Sequence, residues 1–535
     1  MALVSVRSSS TPSQPSNVLI GENYEIMLKE SIQRFLIGIQ KGISDFSGIS
    51  SIFFRLLQAR VDPPLETIWF YSAVRFRTSN EVEEGKKDDV LSKIVRVKDL
   101  FQLLTSCSAS CNGLKSVAVL CPVLFKLYEV IVELLGKKLS KKVEKKVMKE
   151  CECLVEGVLS YVSLCGCEDF GGEDVTEDLL PCFTELIRVW TMDRLKGDED
   201  ISDSLKLFFP IVNEEIRDGF SKGEFGVSYL VGVVIVQAFL LRLCLKLHAG
   251  AGLSKIDLQK ELTAWAVGSV TAFRNCCFFD ILLRLLLEST LPITSLLDPK
   301  DEDLLRKVLY DVVVLVEYSF LSNEKVTGVS NCMRRLAVRR LLVAHQAIQE
   351  ARDNGDQTKA ISYINSSSGS SLSSKLIKWV SSQIGMSASR PDVTTPQALL
   401  KWLLSSEEQG VRVFGDNTLK LRAKQILDDL KANYEHRVLK PNSNVEDDLL
   451  FYIDNNREEK SDDDQEMVES MDAAHTVADK KRKKGRKGDD KAKVKFVKYQ
   501  LQESSVKKKF VALPNAHAND TSSESDSDVI EDMEE

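Results

Sequence analysis

Apolar residues recur three or four positions apart along almost the whole stretch from Glu22 to Phe451, and short polar, Gly or Pro breaks separate the runs. That period marks helices that each bury one face. Ile26, Ile32, Phe35, Leu36 and Ile39 form a first stripe, which Gly42 stops. Ile52, Phe53, Leu56 and Leu57 form a second, which Asp62-Pro63-Pro64 ends. The same spacing predicts helices over 65–77, 89–106, 114–135, 138–164, 176–195, 201–217, 226–248, 255–289 (two helices), 301–321 and 326–352, with weaker ones over 375–384, 396–405 and 416–437. No Asn-Gly or Asp-Gly pair joins two alternating runs, since Asp218-Gly219 and Asn354-Gly355 both follow helix-like text, so no hairpin is expected.

The expected fold class is therefore all-α. A single core stops growing at about 250–300 residues, and this helical text is longer. An irregular helical-repeat solenoid of armadillo or HEAT type answers that length, although no residue signature repeats and an irregular bundle fits the same text. The expected organisation is an unstructured N-terminus over 1–20, a helical body over 21–365, a Ser-rich loop over 366–374, a smaller helical segment over 375–454 and a charged tail over 455–535.

Charge changes the picture only in that tail. Glu458–Asp479 holds nine acidic residues against one Lys, Lys480–Lys509 fourteen basic against three acidic, and Asp520–Glu535 eight acidic and none basic. Such blocks bury too little apolar surface to offset the entropy of ordering, so the tail is expected to be disordered and to meet partners. Lys480, Lys481, Arg482, Lys483 and Lys484, with Arg486 and Lys487, resemble a monopartite nuclear localisation signal of the kind importin-α binds, which implies a nuclear protein. Lys495, Phe496, Lys498 and Tyr499 interleave cations and aromatics, which suits contact with unpaired RNA bases or strand addition to a partner's sheet. Ser461, Thr521, Ser523 and Ser525 each precede acidic residues and resemble substrates of acid-directed kinases. The alternation as a whole resembles the tails of nucleolar and ribosome-assembly proteins, by composition alone.

Within the body, Lys137–Lys149 carries seven Lys and one Glu. Leu139, Val143 and Val147 form an inward i, i+4 stripe, so Lys137, Lys138, Lys141, Lys142, Lys145 and Lys146 fan outward, as a face for nucleic-acid phosphates or as a solvated surface. Arg334, Arg335, Arg339 and Arg340 form a second cluster, for which internal pairing with residues such as Glu317 and Glu324 is the stronger expectation.

Signals for chemistry are weak. The chain has twelve Cys and its first residues lack the apolar core of a signal peptide, so free thiols in a reducing compartment are expected. Cys151 and Cys153 point apart on a helix, and with Cys165 and Cys167 they lack zinc-knuckle spacing. His248, His345, His436, His475 and His517 are scattered. Gly250–Lys255 lacks phosphate-loop spacing and reads as a turn with Ser254 as N-cap. No catalytic residue, metal or cofactor is expected. Phe225–Leu241, seventeen residues without a charge, is read as a buried core helix rather than a span of about 20 residues. The expected role is a non-enzymatic nuclear, and more narrowly nucleolar, scaffold: protein partners on the body, importin-α and RNA on the tail. An all-helical enzyme without a linear motif and a membrane-associated protein using 225–241 are the rivals.

Overall fold

The computed structural model describes residues 16–81, 89–137, 139–166, 179–194, 201–250, 252–321, 331–385, 395–415 and 417–438; for 16–22, 79–81, 180 and 429–438 it describes the backbone alone. The chain divides into one unit over Met1–Ser443 and another over Asn444–Glu535, and all described residues belong to the first. Among them every regular element is a helix and none is a strand, so the all-α class stands.

The N-terminal third is built from α1 (Ser16–Gln40), α2 (Ser47–Ala59), α3 (Leu65–Glu81), α4 (Val90–Cys107), α5 (Gly113–Ala118), α6 (Cys121–Gly136) and α7 (Lys141–Cys165). Then come α8 (Leu180–Thr191), α9 (Ile201–Phe208), α10 (Glu214–Ser221) and α11 (Val227–Ala249). The remainder is α12 (Lys255–Phe273), α13 (Cys276–Leu287), α14 (Pro299–Val314), α15 (Asn331–Asp353), α16 (Gln357–Ser368), α17 (Ser371–Ile384), α18 (Pro396–Glu408) and α19 (Asn417–Val438).

Packing follows chain order. α1, α2 and α3 pack in succession, and α3 leads to α4 and to α8, which carries α9 and α10. From α11 onward two rows form. α11, α13 and α15 pack side by side, as do α12, α14 and α16, and the pairs α11/α12, α13/α14 and α15/α16 also touch. Each consecutive pair thus packs against the next pair in the chain.

α11 sits at the centre, in contact with α5, α6, α7, α12 and α13. It is long and apolar enough to cross a membrane, and 94% of its most apolar stretch is buried inside the body. A helix surrounded on all sides needs no polar face, which accounts for its composition. Gly232 lets α13 come close: a Cβ there would stand 2.9 Å from the backbone carbon of Cys277 and the nitrogen of Phe278. Aromatic rings tie α8, α9 and α10 to this core. Phe183 stacks on Phe209 at 5.9 Å between centroids, Phe209 on Phe220 at 5.9 Å, and Phe225 on Tyr229 at 3.8 Å. Each such pair contributes about 0.5–1.5 kcal/mol beyond its area.

Three expectations about organisation need correction. Residues 16–20 belong to α1, so the helical text starts before Glu22; residues 1–15 lie outside the described residues. The Ser-rich stretch 366–374 is helical on both sides of a break at Gly369 and Ser370. Three of its hydroxyls bond to neighbouring elements: Ser366 Oγ donates to the Val314 carbonyl at 2.7 Å, Ser371 Oγ to Glu317 at 2.9 Å, and Ser370 Oγ accepts from Arg340 at 2.8 Å. That composition, polar and small, looks like a linker in one dimension and serves as an interface in three. No separate segment begins at 375 either, because α15 packs against α16, α17, α18 and α19 alike; 439–454 lies outside the described residues. The stretches 114–135 and 201–217 each prove to be two helices, with Pro210 inside the second break. α16 went unforeseen, although Asp356 caps it by accepting from the Lys359 amide at 3.0 Å.

Candidate functional site

The outward lysines are carried by α7. Ser140 stands at its N-cap in extended conformation, and Gly166, with φ 59°, ends it in the left-handed region. Val147 is buried and Leu139 and Val143 pack against the core, so the i, i+4 stripe faces inward as the spacing predicts. Lys141, Lys142, Lys145, Lys146 and Lys149 are exposed. None of the five has an ion-pair partner among the described residues. Lys137 differs: it pairs with Glu133, whose carboxylate also accepts from Lys93 at 2.9 Å and is held below the usual carboxylate range by those two cations against the opposing push of burial. Lys138 lies outside the described residues. Lysines in a first turn oppose the positive pole of the helix, at a cost of about 0.3–1 kcal/mol each, and the only acidic residue there is Glu144.

The arginine cluster splits. Arg339 and Arg340 are buried, and both are paired as expected. Arg339 Nη1 donates to Asp280 at 2.6 Å, and Arg284 Nε donates to the other oxygen of Asp280 at 3.0 Å. Arg284 also reaches Glu215 at 2.5 Å, with its guanidinium 5.7 Å from the Tyr229 ring centre. Burial alone would raise the Asp280 pKa, but Arg339 and Arg284 hold it below the ordinary value. This cluster joins α11, α13 and α15.

Arg340 closes the C-terminal end of α14. It donates to the Val313 carbonyl at 2.9 Å, the Val316 carbonyl at 3.0 Å and Glu317 at 2.6 Å. Arg306 does the same for α13 through the Leu286, Glu288 and Ser289 carbonyls. In the second row buried Asp311 accepts from Tyr363 at 2.8 Å and pairs with Lys359 at 2.7 Å, which joins α14 to α16.

Arg334 and Arg335 are not consumed in this way. Arg334 lies with its guanidinium carbon 4.2 Å from the centre of the Trp379 ring and donates to the Arg412 carbonyl at 2.8 Å. Arg335 is exposed, its stem beside Gly415.

Metal ligands are not gathered among the described residues. No disulfide joins the cysteines among the described residues, and no group of three or more His, Cys, Asp or Glu stands there as a metal would need. Burial pushes the Cys151 thiol up to about 12 and the Cys111 thiol likewise, which keeps both protonated and unreactive at neutral pH. His248 Nε2 bonds to the Leu296 carbonyl at 2.9 Å. His345 is buried on α15, and desolvation, helped by Arg352, lowers its pKa to about 4. Ser254 caps α12 as the sequence suggests, accepting from the Asp257 amide. The crevice among Val314, Arg340, Ser367 and Ser370 offers about 10 Å³, room for about one water molecule and too little for a ligand.

Asp280 and Arg284, which interrupt an apolar run, are absent from the residues the sequence singled out. An Asp and an Arg four apart inside such a run is itself the signal of a buried pair. Trp379 and Arg412 carried no signal in one dimension. The remaining candidates, Lys480 to Lys487, Lys495, Phe496, Lys498, Tyr499, Ser461, Thr521, Ser523 and Ser525, lie outside the described residues. No family model, no curated protein and no solved structure matches the chain.

Proposed function

We propose that the chain is a non-enzymatic, nucleus-directed scaffold that holds protein partners on a helical solenoid and contacts RNA through lysine-rich surfaces. The observation that carries the reading is the α7 face. Five lysines stand exposed and, among the described residues, without an ion-pair partner on a well-packed helix, two of them where they oppose the helix dipole. Such residues do not serve the fold, whereas they suit the phosphate backbone of a nucleic acid.

The solenoid is supported by the two rows of successive helix pairs, whose leading helices start at Val227, Cys276 and Asn331. Each pair takes about 50 residues, near the length of armadillo and HEAT units. The nuclear address is supported by Lys480–Lys487, with importin-α as the carrier. Ribosome assembly in the nucleolus is the process the tail's composition favours.

The test uses the tagged full-length chain in cells. Wild type is expected in the nucleus and concentrated in nucleoli, and deletion of Lys480–Lys487 is expected to move it to the cytoplasm. Affinity purification from nuclear extract should recover pre-ribosomal proteins, a part of them released by nuclease. A cytoplasmic wild type, a location indifferent to the deletion, or a partner set without nuclear members overturns the reading.

A further inference from the structure

The division of the arginine cluster leaves a second basic surface, on helices other than α7. Arg334 is seated on Trp379 of α17, and its Nη1 is engaged with the Arg412 carbonyl. The loop that presents Arg412 is itself tied down, because the Glu407 carboxylate accepts from the Val413 amide at 2.6 Å and the Phe414 amide at 3.3 Å. The plane of the guanidinium is therefore fixed by a ring below and a carbonyl at its edge. Arg335 and Arg412 are exposed beside it, and Lys378, next to Trp379 in the chain, is exposed too. Among the described residues no carboxylate pairs with Arg334, Arg335 or Arg412.

We propose that Arg334, held on Trp379, is a stacking platform for an unpaired base of single-stranded RNA, and that Arg335, Arg412 and Lys378 take the flanking phosphates. Guanidinium planes stack on bases as aromatic rings do. The choice of RNA over an acidic peptide follows from which part of Arg334 is free. A carboxylate is best held by the donor edge of a guanidinium. Here Nη1 is spent on a backbone carbonyl and Nε is buried, so the half-exposed guanidinium has no free fork for a carboxylate, and the face away from Trp379 is the side left for a base. Fixing the plane in advance lowers the entropy lost on binding. This inference rests on the reading that the chain binds RNA.

The full-length protein is titrated with fluorescent oligoadenylate and oligouridylate of equal length over a range of salt. Adenine offers the larger surface for stacking, so wild type is expected to prefer oligoadenylate. Arg334→Lys keeps the charge and removes the plane. It is expected to weaken oligoadenylate binding by about fivefold or more, the low end for one stacked base, and to erase the preference. The slope of log affinity on log salt should not change, because no charge is lost. Arg335→Ala leaves the Trp379 seat intact: it should lower that slope by about one and keep the preference.

Binding by Arg334→Lys equal to wild type, or with the preference intact, overturns the platform while leaving the RNA reading in place if α7 lysine variants still lose affinity. An unchanged slope in Arg335→Ala removes the site even where the first variant proves unstable. A wild type that binds neither oligonucleotide overturns both readings. Binding of an acidic peptide in place of RNA, lost in Arg335→Ala, likewise rejects the platform.

Discussion

The interior of α13 and α15 and the outer face of α7 are both rich in positive charge, and they use it in opposite ways. Inside, every buried guanidinium ends on a carboxylate or on the last carbonyls of a helix: Arg284 and Arg339 on Asp280, Arg340 on Glu317 and the end of α14, Arg306 on the end of α13. On α7 the ammonium groups of Lys141, Lys142, Lys145 and Lys146 end in solvent. The residue types match the tasks. A guanidinium has a rigid fork of donors and is weakly hydrated, so it tolerates burial; an ammonium keeps its water and stays at the surface. Density of charge along a chain therefore says little about function until it is known which charges already have partners.

The comparison predicts its largest effect at Asp280. Asp280→Ala leaves Arg339 and Arg284 without their shared carboxylate in a buried place, and breaking such a network by removing one partner costs about 3–5 kcal/mol. Chemical denaturation should show the loss as a lower midpoint, and uncoupling of α11, α13 and α15 should make the transition less cooperative. A cost under about 1 kcal/mol would mean that the arginines escape to solvent and that the interior is not held as described. Acid should mimic the variant. The native Asp280 pKa lies below its unfolded value, so its contribution is complete above the ordinary carboxylate range and fades as pH falls below about 4.

A smaller effect separates the interior from the surface by pH. His345 is neutral in the fold, with its pKa lowered to about 4, while in the unfolded chain it takes a proton near 6.5. Between those values the unfolded state binds more protons, so stability rises with pH across that window and falls as pH drops through it. At pH 5 the loss is about 2 kcal/mol. His345→Phe, of similar shape, should flatten the dependence of the unfolding free energy between pH 6.5 and 4. An unchanged slope would place the titration elsewhere. Variants of the α7 lysines, which lie away from His345 in the chain, should leave the profile alone.

How much of this was visible in one dimension follows from the same contrast. The period of the apolar residues was enough for the all-helical class and for the stripe Leu139, Val143, Val147, because a helix buries one face whatever surrounds it. The lysine face followed from that stripe. Partners at long range were not legible: Arg339 meets a carboxylate 59 positions away, and Tyr363 meets Asp311 across 52. For the same reason Asn365–Ser374 looked like a linker, since nothing nearby in sequence shows that its hydroxyls face Val314, Glu317 and Arg340. Local pattern shows which face is buried; it does not show what the buried polar groups will find.

The smallest stability effect is expected on α7, and there the comparison is sharpest. Lys141→Ala combined with Lys145→Ala removes two exposed ammonium groups that have no ion-pair partner among the described residues. Alanine has the higher helix propensity, and the loss of a cation from the first turn relieves its opposition to the dipole. The midpoint of unfolding should therefore stay put or rise by a few tenths of a kcal/mol. RNA binding should respond in the other direction: affinity falls at low salt, and the slope of log affinity on log salt drops by about one for each phosphate left without its cation. A substitution that improves the fold while weakening a ligand locates the reason for those lysines outside the fold. If stability falls instead, they hold the helix in some manner the geometry does not contain. If neither property moves, the face is ordinary solvated surface, and the lysines of α7 then bear no more on RNA than any other exposed charge.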